Sequence, residues 1–187
     1  MASHGGTNLQ AIMNACDEGV LNAEIKLVIS NNSESKALSR ARAGDIPALH
    51  FSSFTNPDFG DLDRALKHEF TSRAVEYIIL AGYMRKVGPI LLRAFSGKVL
   101  NSHPSLLPKY GGRGMYGDRV HEEVIKNGET ETGVTIHIVD GGYDSGIVIS
   151  QEKVAVLEGD SVEDLRRRVQ EVEHRLWVKV LRDICES

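Results

Sequence analysis

The chain has 187 residues, 41% of them hydrophobic and 26% charged, with a formal net charge of −4. These are ordinary globular values, with enough chain for a substantial core, and the acidic balance argues against a general nucleic-acid binder. No apolar run approaches the roughly 20 residues of a membrane span, no secretory pattern opens the chain, and two cysteines (Cys16 and Cys185) without metal-type spacing point to a reduced, cytoplasmic setting.

Taken in order, the chain alternates helix and strand signals. Gly5-Gly6-Thr7-Asn8 opens a helix over 9–15, and residues 24–30 read as a strand. A helix with a capping signature covers 33–43 and stops at Gly44, and a short strand covers 48–51. Asn56 caps a helix over 57–72 with Pro57 in its first turn, followed by a buried strand over 76–81. A short helix over 89–95 and a strand over 99–101 lead into a Gly-rich loop at 111–117 and a helix over 118–126. Strands interleaved with helices mean βαβ units and a parallel sheet.

The last third changes character. Residues 132–139 and 147–156 alternate apolar and polar around a loop at 140–146, the pattern of an antiparallel pair added to the parallel sheet. A long final helix starts at Asp160 or Ser161, with Leu165, Val169, Val172, Leu176 and Val180 as its buried stripe. The run Arg166-Arg167-Arg168 on that helix reads as a solvated face. With no repeat, low-complexity stretch or linker, residues 1–187 are expected to form one domain. The fold class is a doubly wound, Rossmann-like, mostly parallel sheet. Only Met1-Ala2-Ser3 precede the Gly-rich turn, where such a fold calls for a strand, so the first strand reads as truncated.

The chemistry concentrates after the strand at 99. Period-two alternation turns Asn101 and His103 to the same side, and Pro104 and Pro108 stiffen the loop beyond. An amide donor beside an imidazole suits an oxygen that gains charge as a carbonyl becomes tetrahedral. An isolated Asn-x-His is more often a turn cap beside a loop histidine. Asp144, in the Gly-bounded loop, is a carboxylate that would favour imidazolium if it lay near His103, or else an ordinary turn aspartate. Gly6, Thr7 and Asn8 open a helix as an anion-binding turn or a plain cap. Ala81-Gly82-Tyr83-Met84-Arg85-Lys86-Val87 follows a strand end and can wall a pocket for a flat ring, or simply join strand to helix.

Together, Gly5-Gly6-Thr7-Asn8-Leu9-Gln10, Ala81-Gly82-Tyr83-Met84-Arg85, Asn101-Ser102-His103-Pro104-Ser105-Leu106-Leu107-Pro108 and Tyr143-Asp144-Ser145-Gly146 resemble the phosphoribosylglycinamide formyltransferases, folate-dependent enzymes of purine synthesis. The resemblance covers essentially the whole chain. Gly111-Gly112-Arg113-Gly114-Met115-Tyr116-Gly117 is similar to the loop of the bacterial and plant-plastid branch.

The resemblance implies transfer of the formyl group of 10-formyltetrahydrofolate, as co-substrate and without a metal, to the primary amine of phosphoribosylglycinamide. It casts Asn101 and a protonated His103 as stabilisers of the tetrahedral intermediate, with Asp144 raising the histidine's pKa. It casts Gly6, Thr7, Asn8, Gln170 and Glu173 as contacts to phosphate and ribose. Met84, Arg85, Lys86, Val87, Asp140, Gly141, Gly142, Tyr143 and Asp144, with Asn101, match the folate pocket. The partners it implies are small molecules, with no nucleic acid or membrane, acting on a monomer or homodimer.

Three departures stand out. Ser102 replaces a residue that the family more often has apolar. Asp58-Phe59-Gly60-Asp61 stands where a folate-contacting arginine is expected, with Arg64 off register. The apolar run before the Gly-rich turn is missing. The alternatives are a formyltetrahydrofolate hydrolase, in which a second histidine would stand at Pro104, another folate-dependent formyltransferase, and an inactive nucleotide-binding module.

Overall fold

The computed structural model describes residues 1–186. Helix α1 (Thr7–Asp17) leaves a tight turn at Gly6, whose φ of +68° lies in the left-handed region that glycine adopts most readily. A Cβ there would also lie 2.9 Å from Ala37, so this turn is pressed against the next helix. Strand β1 (Val28–Ser30) follows, then α2 (Lys36–Ala43) and β2 (Ala48–His50). Helix α2 begins later than the sequence suggests, because Ser35 rather than Ser33 presents its side chain to the backbone N–H of Leu38.

Helix α3 (Phe59–Thr71) corrects a second expected boundary: its cap is Asp58, which accepts from the N–H of Asp61 at 2.8 Å, so Asn56 and Pro57 lie outside it. Arg64, on this helix, is exposed and spends its charge on Asp61. Next come β3 (Ile78–Leu80), α4 (Pro89–Ala94), β4 (Val99–His103) and α5 (Asp118–Lys126). Strand β4 runs through His103, two residues beyond its expected end, so Asn101 and His103 sit on a paired strand rather than at the start of a loop. The hairpin strands are β5 (Glu131–Ile138) and β6 (Val148–Ala155), and α6 (Val162–Cys185) closes the chain behind a Ser161–Asp164 capping box.

Strands β1 and β2 pair in parallel, as do β3 and β4, while β5 runs antiparallel to both β4 and β6. Residues 1–3, expected to be a truncated strand, make the hydrogen bonds of one between β1 and β3. Ala2 N–H donates to Ile29 O, Ala81 N–H to Met1 O and Ser3 N–H to Gly82 O, all within 2.8–3.0 Å. Helices cover both faces, as a doubly wound sheet requires. On one face, Leu100, Val134 and Ile136 pack against Leu165, Leu176 and Trp177 of α6. On the other, Ile29, Ile78 and Val99 pack against Leu66 and Phe70 of α3 and Leu91 of α4. Among the described residues no helix is long and apolar enough to cross a membrane.

One polar contact couples two helices, α3 and α4. The buried carboxylate of Asp63, on α3, accepts from the N–H groups of Ile90 and Leu91 at 2.7 and 3.1 Å, capping α4 from across the molecule. Gly88 is required beside it, since a Cβ there would lie 2.1 Å from that carboxyl. Asp63→Ala orphans both N–H groups and is expected to cost about 1–3 kcal/mol. Urea denaturation checks this, and an unchanged midpoint would show that the cap contributes nothing.

Candidate active site

A cleft of about 1100 Å³ opens at the carboxyl ends of β3 and β4, beside the Gly6 turn. That is where open α/β sheets bind ligands. Its walls bring together residues far apart in sequence: Gly6, Thr7 and Asn8; Met84, Arg85, Lys86 and Val87; Asn101, Ser102 and His103; Gly141, Gly142, Tyr143 and Asp144; Gln170 and Glu173. Asp140 is the one expected site residue that does not line it. It stands exposed and braces the loop instead, accepting from Gly142 N–H and Ser145 Oγ at 3.0 Å each.

At the centre, Asn101 and His103 project together from β4. In the antiparallel register Asn101 lies opposite His137, and its amide nitrogen donates to His137 Nε2 at 3.1 Å. His137 Nδ1 donates to the Ile138 carbonyl at 3.0 Å, which sets the neutral tautomer that can accept from Asn101. The amide keeps a second N–H. His103 is buried, with Nε2 2.7 Å from the Tyr110 carbonyl and Nδ1 3.5 Å from Asp144 Oδ2. Both ring nitrogens therefore face acceptors, an arrangement that only the imidazolium satisfies.

Burial works against that charge. Desolvation pushes the His103 pKa below its ordinary value, while Asp144 and the Tyr110 carbonyl pull it back up. The protonated state that the resemblance implies is thus opposed by burial. Asp144 is itself held, its Oδ2 accepting from Gly112 N–H at 2.9 Å and its Oδ1 lying 3.7 Å from His137 Nε2. Its φ of +53° is uncommon for a non-glycine residue, and such strained positions cluster at functional sites.

The chain matches the family described as formyl transferase over residues 1–181. It belongs to that family. It is 36% identical to a chloroplastic phosphoribosylglycinamide formyltransferase of Arabidopsis thaliana, over 99% of this chain and 64% of the relative. It therefore spans less than two thirds of that plant protein's length. It is 37% identical to the phosphoribosylglycinamide formyltransferase of Haemophilus influenzae, over 100% of this chain and 86% of the relative. The crystal structure of glycinamide ribonucleotide transformylase 1 from Symbiobacterium toebii superposes with a TM-score of 0.92 at 39% identity, covering 99% of this chain and 85% of that one.

The rest of the cleft is braced partly by expected residues and partly by two that the sequence did not single out, Arg40 and His137. Arg40, on α2, donates from Nε to the Gly5 carbonyl at 2.9 Å and from Nη1 to Gln10 Oε1 at 2.8 Å, so a cation backs the turn before α1. Lys86 lies 5.8 Å from the ring of Tyr143, a cation–π contact between the two segments of the expected folate pocket. Val87 is buried and also packs with Leu91 in the core. Nothing local in the sequence marks His137, which sits inside an alternating apolar strand where a histidine reads as core.

The arginine run proves only partly solvated. Arg167 is open to water, whereas Arg166 lines the cleft and Arg168 grips the largely buried Asp160 through two bonds of 2.6 and 2.8 Å.

His121, on α5, also lines the cleft. Burial drives its pKa down to about 4, and its Nδ1 has no hydrogen-bond partner. Because the unfolded chain protonates this ring near pH 6.5, the native state is fully favoured above that pH and loses stability as pH falls toward 4. His103 and His174, also lowered, act in the same direction. Urea midpoints measured from pH 7.5 to 4.5 are expected to fall, and His121→Phe to remove roughly 3 kcal/mol of that dependence. An identical slope in the variant would show that His121 is protonated alike in both states.

Proposed function

We propose that residues 1–187 act as a single catalytic unit that transfers the formyl group of 10-formyltetrahydrofolate to the primary amine of 5-phosphoribosylglycinamide, in purine biosynthesis. The observation that carries this reading is the convergence of Asn101, His103 and Asp144 in one cleft with the Gly6 turn and the 84–87 segment. Family membership and the names of the relatives support it.

In this reading the second amide N–H of Asn101 and the imidazolium of His103 are donors to the oxygen that gains charge as the formyl carbon becomes tetrahedral. The incoming amine loses one proton and the departing folate nitrogen gains one. His103, with the Asp144 carboxylate 3.5 Å behind it, is the group suited to carry that proton. Negative charge arriving beside His103 offsets the cost of its burial, so the histidine is most strongly protonated when the reaction needs it. No covalent intermediate on the protein is required. The half-open wall of Met84 and Val87, with Tyr143 against Lys86, fits a flat heteroaromatic ring. The unpaired N–H groups at the start of α1, backed by Arg40, fit a phosphate.

Cytoplasmic action as a monomer or homodimer on small molecules alone belongs to the same proposal, supported by the free cysteines Cys16 and Cys185. The plant relative is chloroplastic by name.

A coupled spectrophotometric assay with 10-formyltetrahydrofolate tests the reading: turnover should require phosphoribosylglycinamide. Formate release without the amine would mean a hydrolase, and no turnover would leave a binding module. His103→Ala or Asn101→Ala should each cut kcat by about 10²–10³, the usual cost of one such donor. Near-normal turnover in either variant would remove that residue from the chemistry. Asp144→Asn should lower the maximum rate and move the pH limb governed by His103 to lower pH, because the carboxylate that raises the histidine's pKa is gone. An unmoved limb would reduce Asp144 to a loop residue.

A further inference from the structure

Ser102 lies between Asn101 and His103, and strand alternation turns it to the opposite face, toward α6. Its hydroxyl has two partners there: Oγ donates to Glu173 Oε1 at 2.5 Å and accepts from Trp177 Nε1 at 3.1 Å. A hydroxyl can do both because it carries one donor and two lone pairs. Trp177 is fully buried in the core, so its indole N–H depends on a protein acceptor. Glu173 lines the cleft and also takes a hydrogen bond from the side chain of Asn8, at the start of α1. One carboxylate thus ties the strand bearing Asn101 and His103 to the helix bearing Gln170 and to the Gly6 turn.

We propose that Ser102 is a positioning residue whose hydroxyl holds the Glu173 carboxylate at the cleft wall, ready to accept hydrogen bonds from hydroxyl groups of the amine substrate. The inference rests on the formyl-transfer reading above. An apolar side chain at 102 would leave the carboxylate with Asn8 as its remaining donor and the buried indole N–H without its acceptor.

Ionisation of Glu173 carries the same dependence. Burial raises its pKa, and the bonds from Ser102 and Asn8 pull it back toward the carboxylate. The titratable side chains that share the cleft with it from neighbouring helices and strands are Arg166 on its own helix, Asp118 and His121 on α5, His103 on β4 and His137 on β5. The hydrogen bonds to the carboxyl come from the uncharged Ser102 and Asn8. Removal of the Ser102 hydroxyl should therefore push the Glu173 pKa further up, and weaken substrate binding first on the acid side.

The test uses the full chain and three variants: Ser102→Ala, Ser102→Thr and Trp177→Phe. Ser102→Ala should raise KM for phosphoribosylglycinamide roughly 3- to 10-fold while kcat and the KM for the folate change little. Its acid-side rise in KM should start at higher pH than in the parent. Ser102→Thr keeps the hydroxyl and should restore both. Trp177→Phe removes only the indole donor, and should lower the melting temperature without moving KM or its pH limb.

Carboxyl NMR of Glu173 needs no substrate, and its titration should move to higher pH in Ser102→Ala. An unmoved titration in folded Ser102→Ala overturns the inference, as does Trp177→Phe reproducing the KM effect. A parent protein that transfers no formyl group would sink the functional reading instead, and the Glu173 titration would then decide the role of Ser102 alone.

Discussion

The antiparallel register of β4 against β5 is the constraint on which the rest of the cleft depends. It sets Asn101 opposite His137 and His103 opposite Thr135. Because side chains alternate with a period of two, a slip of one residue would carry Asn101 and His103 to the α6 face and turn Ser102 into the cleft. The same register places Thr135 under the return loop. Its hydroxyl donates to the Ser105 carbonyl at 2.6 Å and accepts from Leu107 N–H at 3.0 Å. Gln151, on β6, adds a bond to the Leu107 carbonyl at 2.9 Å. These anchors bring the Tyr110 carbonyl to His103 Nε2. One strand pairing therefore orients both the imidazole and the backbone group that fixes it.

Charge in the cleft is balanced between burial and a few directed dipoles. His103 pays a desolvation cost that two acceptors partly offset, and Asp144 keeps its place through a single backbone donor at Gly112. That donor ties the Gly-rich loop at 111–117 to the loop at 140–146, so two irregular segments hold each other in position. Such a site is poised rather than saturated: in the proposed reaction, a negative charge developing beside His103 would tip the balance toward imidazolium. Preorganised donors of this kind work because the fold has already met the cost of orienting them.

Much of this was legible in the chain itself. The apolar stripe of α6, the alternation of β5 and β6, and the pairing of Asn101 with His103 on one side of a strand follow from periodicity, and each element formed where it was expected. The boundaries slipped where capping decided them. Ser33 and Ser35, or Asn56 and Asp58, are chemically interchangeable as caps, and the winner is the one whose oxygen reaches the N–H three residues on. Arg168 read as solvated because its partner Asp160 reaches it only when the turn before α6 folds back. His137 is hidden for a similar reason: its importance comes from the residue across the sheet, while six of the eight positions of its own strand are buried like those of any core strand.

By itself the sequence determined the order of the elements, the faces they bury, the family, and the residue types that carry the chemistry. Spacing along the backbone controls all of these. Only the tertiary structure decided which groups meet. It set Asp144 beside His103 and His137 beside Asn101, moved Asp140 off the cleft wall, and aimed Ser102 at Glu173 and Trp177. It also decided that burial opposes the charge on His103. Those outcomes depend on distance and dielectric between residues far apart in the chain, quantities that no local pattern encodes.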